Sequence, residues 1–266
     1  MKGESGAGGK RPLLLRGRWL AGHLLALVLV VAFVNFGFWQ LRRLGHKREV
    51  NAVIAARVHL PPAPLATALV PGAAVPEYLP VNVSGAFAPE NEVLLRGRSL
   101  DGRPGFNVLT PLVLDASAGQ WAGDAILVER GWVPYDLDSV PVTAALPPSG
   151  TVTVVGELHP PQAAPTGALA GLAAHDPPTG KLVQSFYVDT TRLAPQMPFD
   201  LVPAYVILRQ QTPANAGALP EALRAPDTNE GPHLGYAIQW FGMALVGIVG
   251  YYFLLRSTVR QHRREA

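Results

Sequence analysis

His233 and the helical face that follows it carry the most suggestive chemistry in this chain. In steps of three and four residues the face continues through Tyr236, Ala237, Trp240, Ala244, Gly247 and Tyr251. An imidazole nitrogen followed by flat aromatic and small side chains suits a porphyrin: one axial ligand, then space for a planar ring and an apolar tail. The same residues also describe an interfacial histidine above an aromatic belt, with small residues forming a helix contact. On the residues alone the second reading is the simpler one, and both stay open.

Other side chains near the first apolar segment have paired readings too. Arg42 and Arg43 anchor a helix at an interface, or offer planar forks to a carboxylate such as a porphyrin propionate. Trp39 is either a belt residue or a ring wall. His46, just past the same segment, is a weaker candidate axial ligand. His23 lies at the wrong depth to share an iron with His233, by roughly 25 Å at ~1.5 Å per residue. A buried helix contact or a snorkelling group is the expected role for His23.

These residues need elements to hold them. Two apolar stretches, Trp19 to Leu41 and Leu234 to Leu255, are each long enough to cross a hydrocarbon core of about 30 Å. Lys2, Lys10, Arg11, Arg16 and Arg18 precede the first, and Arg256, Arg260, Arg263 and Arg264 follow the second. The positive-inside rule then puts both termini in the cytoplasm, although Arg42, Arg43, Lys47 and Arg48 argue the other way. The first stretch is too long for a signal-peptide core and is followed by Arg42-Arg43 instead of a small-residue cleavage site, so an uncleaved anchor is expected.

The expected organisation is a flexible cytoplasmic tail over 1–12, a first transmembrane region over 13–41 and a helical extension over 42–60, stopped by Pro61-Pro62. An extracytoplasmic β-rich domain with its linker follows over 61–226. A second transmembrane region covers 227–255, and a basic cytoplasmic tail covers 256–266.

Charge and composition exclude several functions. The chain carries +3 overall, but from His59 to His233 it has eight basic and sixteen acidic residues, a net of −8 that leaves +11 beside the apolar stretches. Basicity here is topological, and no basic face for nucleic acid remains. There is no cysteine and there are only three Met, so thiolate copper sites, CxxC redox pairs, covalent haem attachment and a Met-rich copper carrier are ruled out. No GxSxG, HExxH or metal-spaced carboxylate cluster is found.

Between the apolar stretches the sequence reads as β structure. Tyr78 to Phe87, Glu92 to Arg98, Phe106 to Leu114, Ala125 to Val133, Thr151 to Leu158, Leu182 to Val188 and Ala204 to Arg209 are short runs rich in Val, Tyr and Phe, most of them separated by Gly, Pro or Asp. With no amphipathic helices between them, they predict a mainly antiparallel barrel or sandwich. The Pro/Ala/Gly-rich stretch from Pro160 to Gly180 predicts a loop. Arg130-Gly131-Trp132 ends a strongly apolar strand, where Trp132 fills core or, with Arg130, docks a partner.

The whole chain between and including the spans resembles the SURF1 family. The residues that carry the resemblance are Phe36-Gly37-Phe38-Trp39-Gln40-Leu41-Arg42-Arg43 with Lys47, Tyr78-Leu79-Pro80-Val81 with Gly85 and Phe87, and Gly105 with Thr110-Pro111-Leu112. They continue through Leu127-Val128-Glu129-Arg130-Gly131-Trp132-Val133-Pro134 and Gly156, and end with His233-Leu234-Gly235-Tyr236-Ala237-Ile238-Gln239-Trp240-Phe241. The stretch from Pro160 to Gly180 departs from the pattern, and Gly231-Pro232 intervenes before His233.

The resemblance implies an assembly factor for an aa3-type cytochrome c oxidase, without enzymatic activity, in the bacterial plasma membrane. It implies that haem a is bound and passed to the catalytic subunit; on the readings above, His233 is then the candidate ligand and Tyr236, Trp240, Trp39, Arg42 and Arg43 are the candidate cofactor-binding residues. Haem a synthase and the lipid bilayer are further implied partners. The alternative is a cofactor-free scaffold that steadies an oxidase subunit while haem or copper is inserted.

Overall fold

Leu, Val, Ala and Phe without an interrupting proline make the first apolar stretch a strong helix former once its backbone is shielded from water. In the computed structural model, which describes residues 17–167 and 170–265, helix α1 runs unbroken over Gly17–Arg57, 41 residues. The expected tail over 1–12 and the first four residues of the expected span lie outside the described residues. Helix α2, Leu65–Ala68, and helix α3, Thr190–Leu193, are single turns. Helix α4, His233–Glu265, closes the described chain. Only α1 and α4 are, among the described residues, long and apolar enough to cross a membrane.

The chain divides into two compact units, residues 17–52 with 228–265, and Val53–Asp227. In the first, α1 and α4 pack antiparallel. The less exposed positions of α1 recur at Trp19, His23, Ala26, Val30, Phe33, Gly37, Gln40 and Leu44, alternating steps of four and three. On α4 they fall at His233, Ala237, Trp240, Ala244, Tyr251, Leu255 and Thr258. A mean spacing of 3.5 residues is that of a left-handed coiled-coil seam.

Small residues let the two helices approach closely. A Cβ on Gly37 would stand 2.6 Å from the Phe241 ring, and Ala237 is 1% exposed. Most of the remaining apolar surface points away from the seam, with Leu24 63% and Val246 72% exposed. That distribution suits lipid as the solvent and is costly in water.

The second unit is one mixed sheet. Its strands are β1 (Ala63–Pro64), β2 (Leu79–Phe87), β3 (Val93–Leu100), β4 (Arg103–Leu114), β5 (Ala125–Pro134), β6 (Thr151–His159), β7 (Gln184–Ser185) and β8 (Leu201–Thr212). The order is β1-β2-β6-β8-β5-β4-β3-β7, and a further pairing of β2 with β4 closes five strands into a ring. At that closure Gly85 faces Leu114, and a Cβ there would meet the Val113 carbonyl oxygen at 2.1 Å.

Seven expected strands are present and most pairings are antiparallel, as expected, but three are parallel. β8 runs parallel to β5, and the short β1 and β7 add parallel edges to β2 and β3. The geometry requires the first of these: five strands in a closed ring cannot alternate direction all the way round, so one neighbouring pair must be parallel.

Alternate residues of the five strands point inward, among them Val81, Val83, Leu112, Ile126, Val128, Val154 and Val206, all at most 3% exposed. Leu127, Leu109 and Tyr205 point the other way, under Leu182, Val188 and Leu193. β5 is therefore covered on both faces, which is why it reads as a continuous apolar run.

Candidate functional site

The approach to α4 is built by a turn. Asn229 accepts a hydrogen bond from the Gly231 backbone through Oδ1 at 2.8 Å, and Gly231 takes φ +70°, where a side chain is disfavoured. Pro232 follows, its fixed φ suited to a helix start, and its carbonyl accepts from Tyr236 N at 3.1 Å. Glu230 is held by Arg48 through two hydrogen bonds, both 2.9 Å. Those bonds keep the Glu230 carboxyl below its usual range. Asn51 donates to the Thr228 carbonyl beside them. The Gly231-Pro232 insertion is thus the device that delivers His233 to the helix start.

His233 Nδ1 lies 2.8 Å from Gln40 Oε1. An amide oxygen only accepts, so Nδ1 is the donor of this bond and Nε2 stands outside it. Gln40 is 8% exposed in the helix seam, which fixes its own position. An imidazole oriented through one nitrogen, with the other bare, is the arrangement that metal-ligating histidines use.

Beside this pair is an aromatic flank. Trp240 packs on Phe36 with ring centroids 4.9 Å apart and on Phe33 at 5.7 Å. Tyr236, one turn before Trp240, and Trp39, one turn after Phe36, are 48% and 49% exposed. Arg43 stands two turns beyond Phe36 on the same side of α1, whereas Arg42 is turned well away from it. Both arginines are exposed, and neither has an ion-pair partner among the described residues.

The other histidines stand apart. His46 is 68% exposed at its side chain, with Glu49 of its own helix 4.0 Å away as its ion-pair partner. His23 is hydrogen-bonded to the Tyr251 hydroxyl, edge-on to its ring, at the opposite end of the helix pair from Gln40. Sequence reasoning left Gln40 and Phe36 without a role. The alternating spacing of Phe33, Gly37, Gln40 and Leu44 was the available signal that Gln40 enters the seam.

In the β unit the ionisable groups serve structure. Glu92 accepts from Thr110 Oγ1 at 2.8 Å and from Val142 N at 2.9 Å. Burial pushes its carboxyl up against those bonds and the nearby Arg130. The same burial lowers Arg130 to about 10. With Arg130 2% and Trp132 1% exposed, the partner-docking alternative for these two has no surface to act through, and both are core. Arg209 grips Glu157 at 2.8 and 3.0 Å and donates to the carbonyls of Leu223 and Arg224, tying down the linker. No group of three or more His, Asp or Glu among the described residues could hold a metal.

A family model described as SURF1 family matches residues 27–245. A SURF1-like protein of Mycobacterium bovis is 31% identical over 262 residues, 95% of this chain and 89% of that protein. A SURF1-like protein of Rickettsia felis is 25% identical over 89% of this chain and 98% of its own length. The cytochrome oxidase assembly protein Shy1 of Saccharomyces cerevisiae is 29% identical over 113 residues, 41% of this chain and 28% of its own. The family model's match over residues 27–245 and the 31% identity over 95% of the chain place this protein in the SURF1 family.

Proposed function

We propose that this protein is a membrane-anchored assembly factor for an aa3-type cytochrome oxidase, which holds haem a at the His233 end of its helix pair and passes it to the catalytic subunit. The observation that carries the reading is the His233–Gln40 hydrogen bond, which orients the imidazole through Nδ1 and leaves Nε2 outside that bond at the helix mouth. Family membership, with Shy1 named as an oxidase assembly protein, supplies the reaction context.

The residues fit the group. His233 Nε2 would ligate the iron, the Tyr236, Trp240 and Trp39 rings would offer flat apolar surface, and Arg43, with Arg42 behind it, would offer a fork for a propionate. Bound haem supplies iron and colour, with no chemistry on a substrate. Gln40 keeps the imidazole in one tautomer, and the close helix seam keeps Gln40 in place. In this proposal both termini lie in the cytoplasm of a bacterium, the β unit lies outside, and haem a synthase is the donor from which the cofactor is taken.

Deletion cells test the reading. Active oxidase should fall severalfold while total extractable haem a synthesis capacity is retained. Normal oxidase activity, or a cell without any haem a, would refute it, the second result pointing to an enzyme of haem modification. A cofactor-free scaffold would give the same deletion phenotype, and the spectrum of the purified protein separates the two.

A further inference from the structure

The end of the helix pair remote from His233 carries a second arrangement. Arg256, Arg260 and Arg264 follow each other at four-residue steps, which stacks them on one face of α4 about 6 Å apart. With Phe253, Ser257 and Gln261 they line a groove of ≈ 540 Å³. All three arginines are exposed.

Arg48, Arg103, Arg209 and Arg224 are each paired with a carboxylate. Arg256, Arg260 and Arg264 have no ion-pair partner among the described residues, and the backbone around them is already satisfied, with Ser257 and Thr258 bonding back to Leu254. The antiparallel pairing of His23 with Tyr251 brings the exposed Arg18 at the start of α1 to the same end. The groove is amphipathic along its length: it begins at Phe253, 58% exposed and continuous with the apolar span, and ends in three guanidiniums.

We propose that this groove binds the phosphate headgroup of an anionic glycerophospholipid in the adjoining leaflet, with an acyl chain laid along Phe253. Guanidinium forks match phosphate oxygens in pairs, and a ladder of three rungs about 12 Å long accommodates more than one phosphate oxygen set. A free phosphate would use the arginines alone and gain nothing from Phe253. The lipid uses both, and the span delivers it. This site is independent of His233 and of whether haem is bound there.

Native mass spectrometry of the full-length protein in detergent tests it, with phosphatidylglycerol, phosphatidylcholine and inorganic phosphate as probes. Phosphatidylglycerol should be retained about tenfold or more over phosphatidylcholine, given the attraction of each basic residue to an anionic leaflet. Inorganic phosphate should displace it poorly.

The triple variant Arg256→Gln, Arg260→Gln, Arg264→Gln should bring retention down to the phosphatidylcholine level, and the matching triple Lys variant should keep an intermediate preference. Arg263→Gln, outside the groove lining, should change nothing. If the triple variant cannot be recovered, Arg260→Gln alone should show a partial loss. Equal retention of both lipids, an unchanged preference in the Gln variants, or displacement by phosphate at matching concentration would each overturn the proposal. The last would leave a simple anion site.

Discussion

Gln40 Oε1 and His233 Nδ1, 193 residues apart in sequence, are joined at 2.8 Å across the seam of α1 and α4. The bond has two effects. It clamps the mouth of the helix pair, and it fixes which nitrogen of His233 is bare. In a low-dielectric setting neither partner is easily replaced by water.

Replacing Gln40 by Leu should therefore act on the ligand without touching it. The volume at the seam is nearly kept, so insertion and expression should remain. Affinity for haem should fall about 10- to 100-fold, as when an orienting partner of a ligating histidine is lost. Titration of the purified variant measures this, and unchanged affinity would remove Gln40 from the site.

Gly37 tests the seam itself. Gly37→Ala places a Cβ 2.6 Å from the Phe241 ring, so the helices must part or the ring must move. The expected cost is about 1–3 kcal/mol, read as a lower unfolding midpoint in detergent. Phe241→Leu in the same chain should recover most of it.

In the β unit, Glu157 is 4% exposed and is held by Arg209. Burial raises its carboxyl, but His159 at 3.8 Å and Arg209 outweigh burial and leave it below the ordinary value. A carboxyl with a depressed folded pKa contributes stability that is present above its unfolded value and lost as pH falls through the folded one. Stability should thus decline with acid from just above pH ~4.5 downward. Arg209→Leu should cost ~3–5 kcal/mol, by removing the two guanidinium bonds of a buried carboxylate, with only His159 left beside it, and leaving the linker carbonyls without a donor. It should also shift the acid limb toward higher pH. A melt series from pH 3 to 7 reads both effects.

Orientation in the membrane is open to a direct check. Reporter fusions near Asn215 and at the C-terminus should fall in opposite compartments, the second cytoplasmic. Two cytoplasmic signals would contradict the proposed topology.

The sequence disclosed much of this because its strongest signals are local. Length and apolarity marked both long helices, and runs of Val, Tyr and Phe marked the six longer strands to within a few residues and contained the short β7. Three features were hidden for a physical reason: they depend on which segments meet. The parallel pairing of β5 with β8 follows from closing five strands into a ring, which no single strand records. Gln40 reads as one polar residue in an aromatic segment until α4 arrives antiparallel and sets His233 against it. Trp132 reads as core from its apolar strand, whereas Arg130 reads as an exposed charge until the cover on both faces of β5 buries it.

The central claim is most directly tested by the visible spectrum of the detergent-purified protein after co-expression with haem a synthesis. The account predicts haem a bands in the wild type and in His23→Ala, whose partner is Tyr251 at the other end of the helix pair. In His233→Ala it predicts loss or a marked shift of those bands, with expression and membrane insertion intact. Arg43→Ala, tested with Arg42→Ala, should lower haem retention while the ligand-sensitive bands stay in place. A wild-type spectrum at full occupancy in His233→Ala would contradict the account and turn attention to His46. A colourless wild-type protein would leave the cofactor-free scaffold.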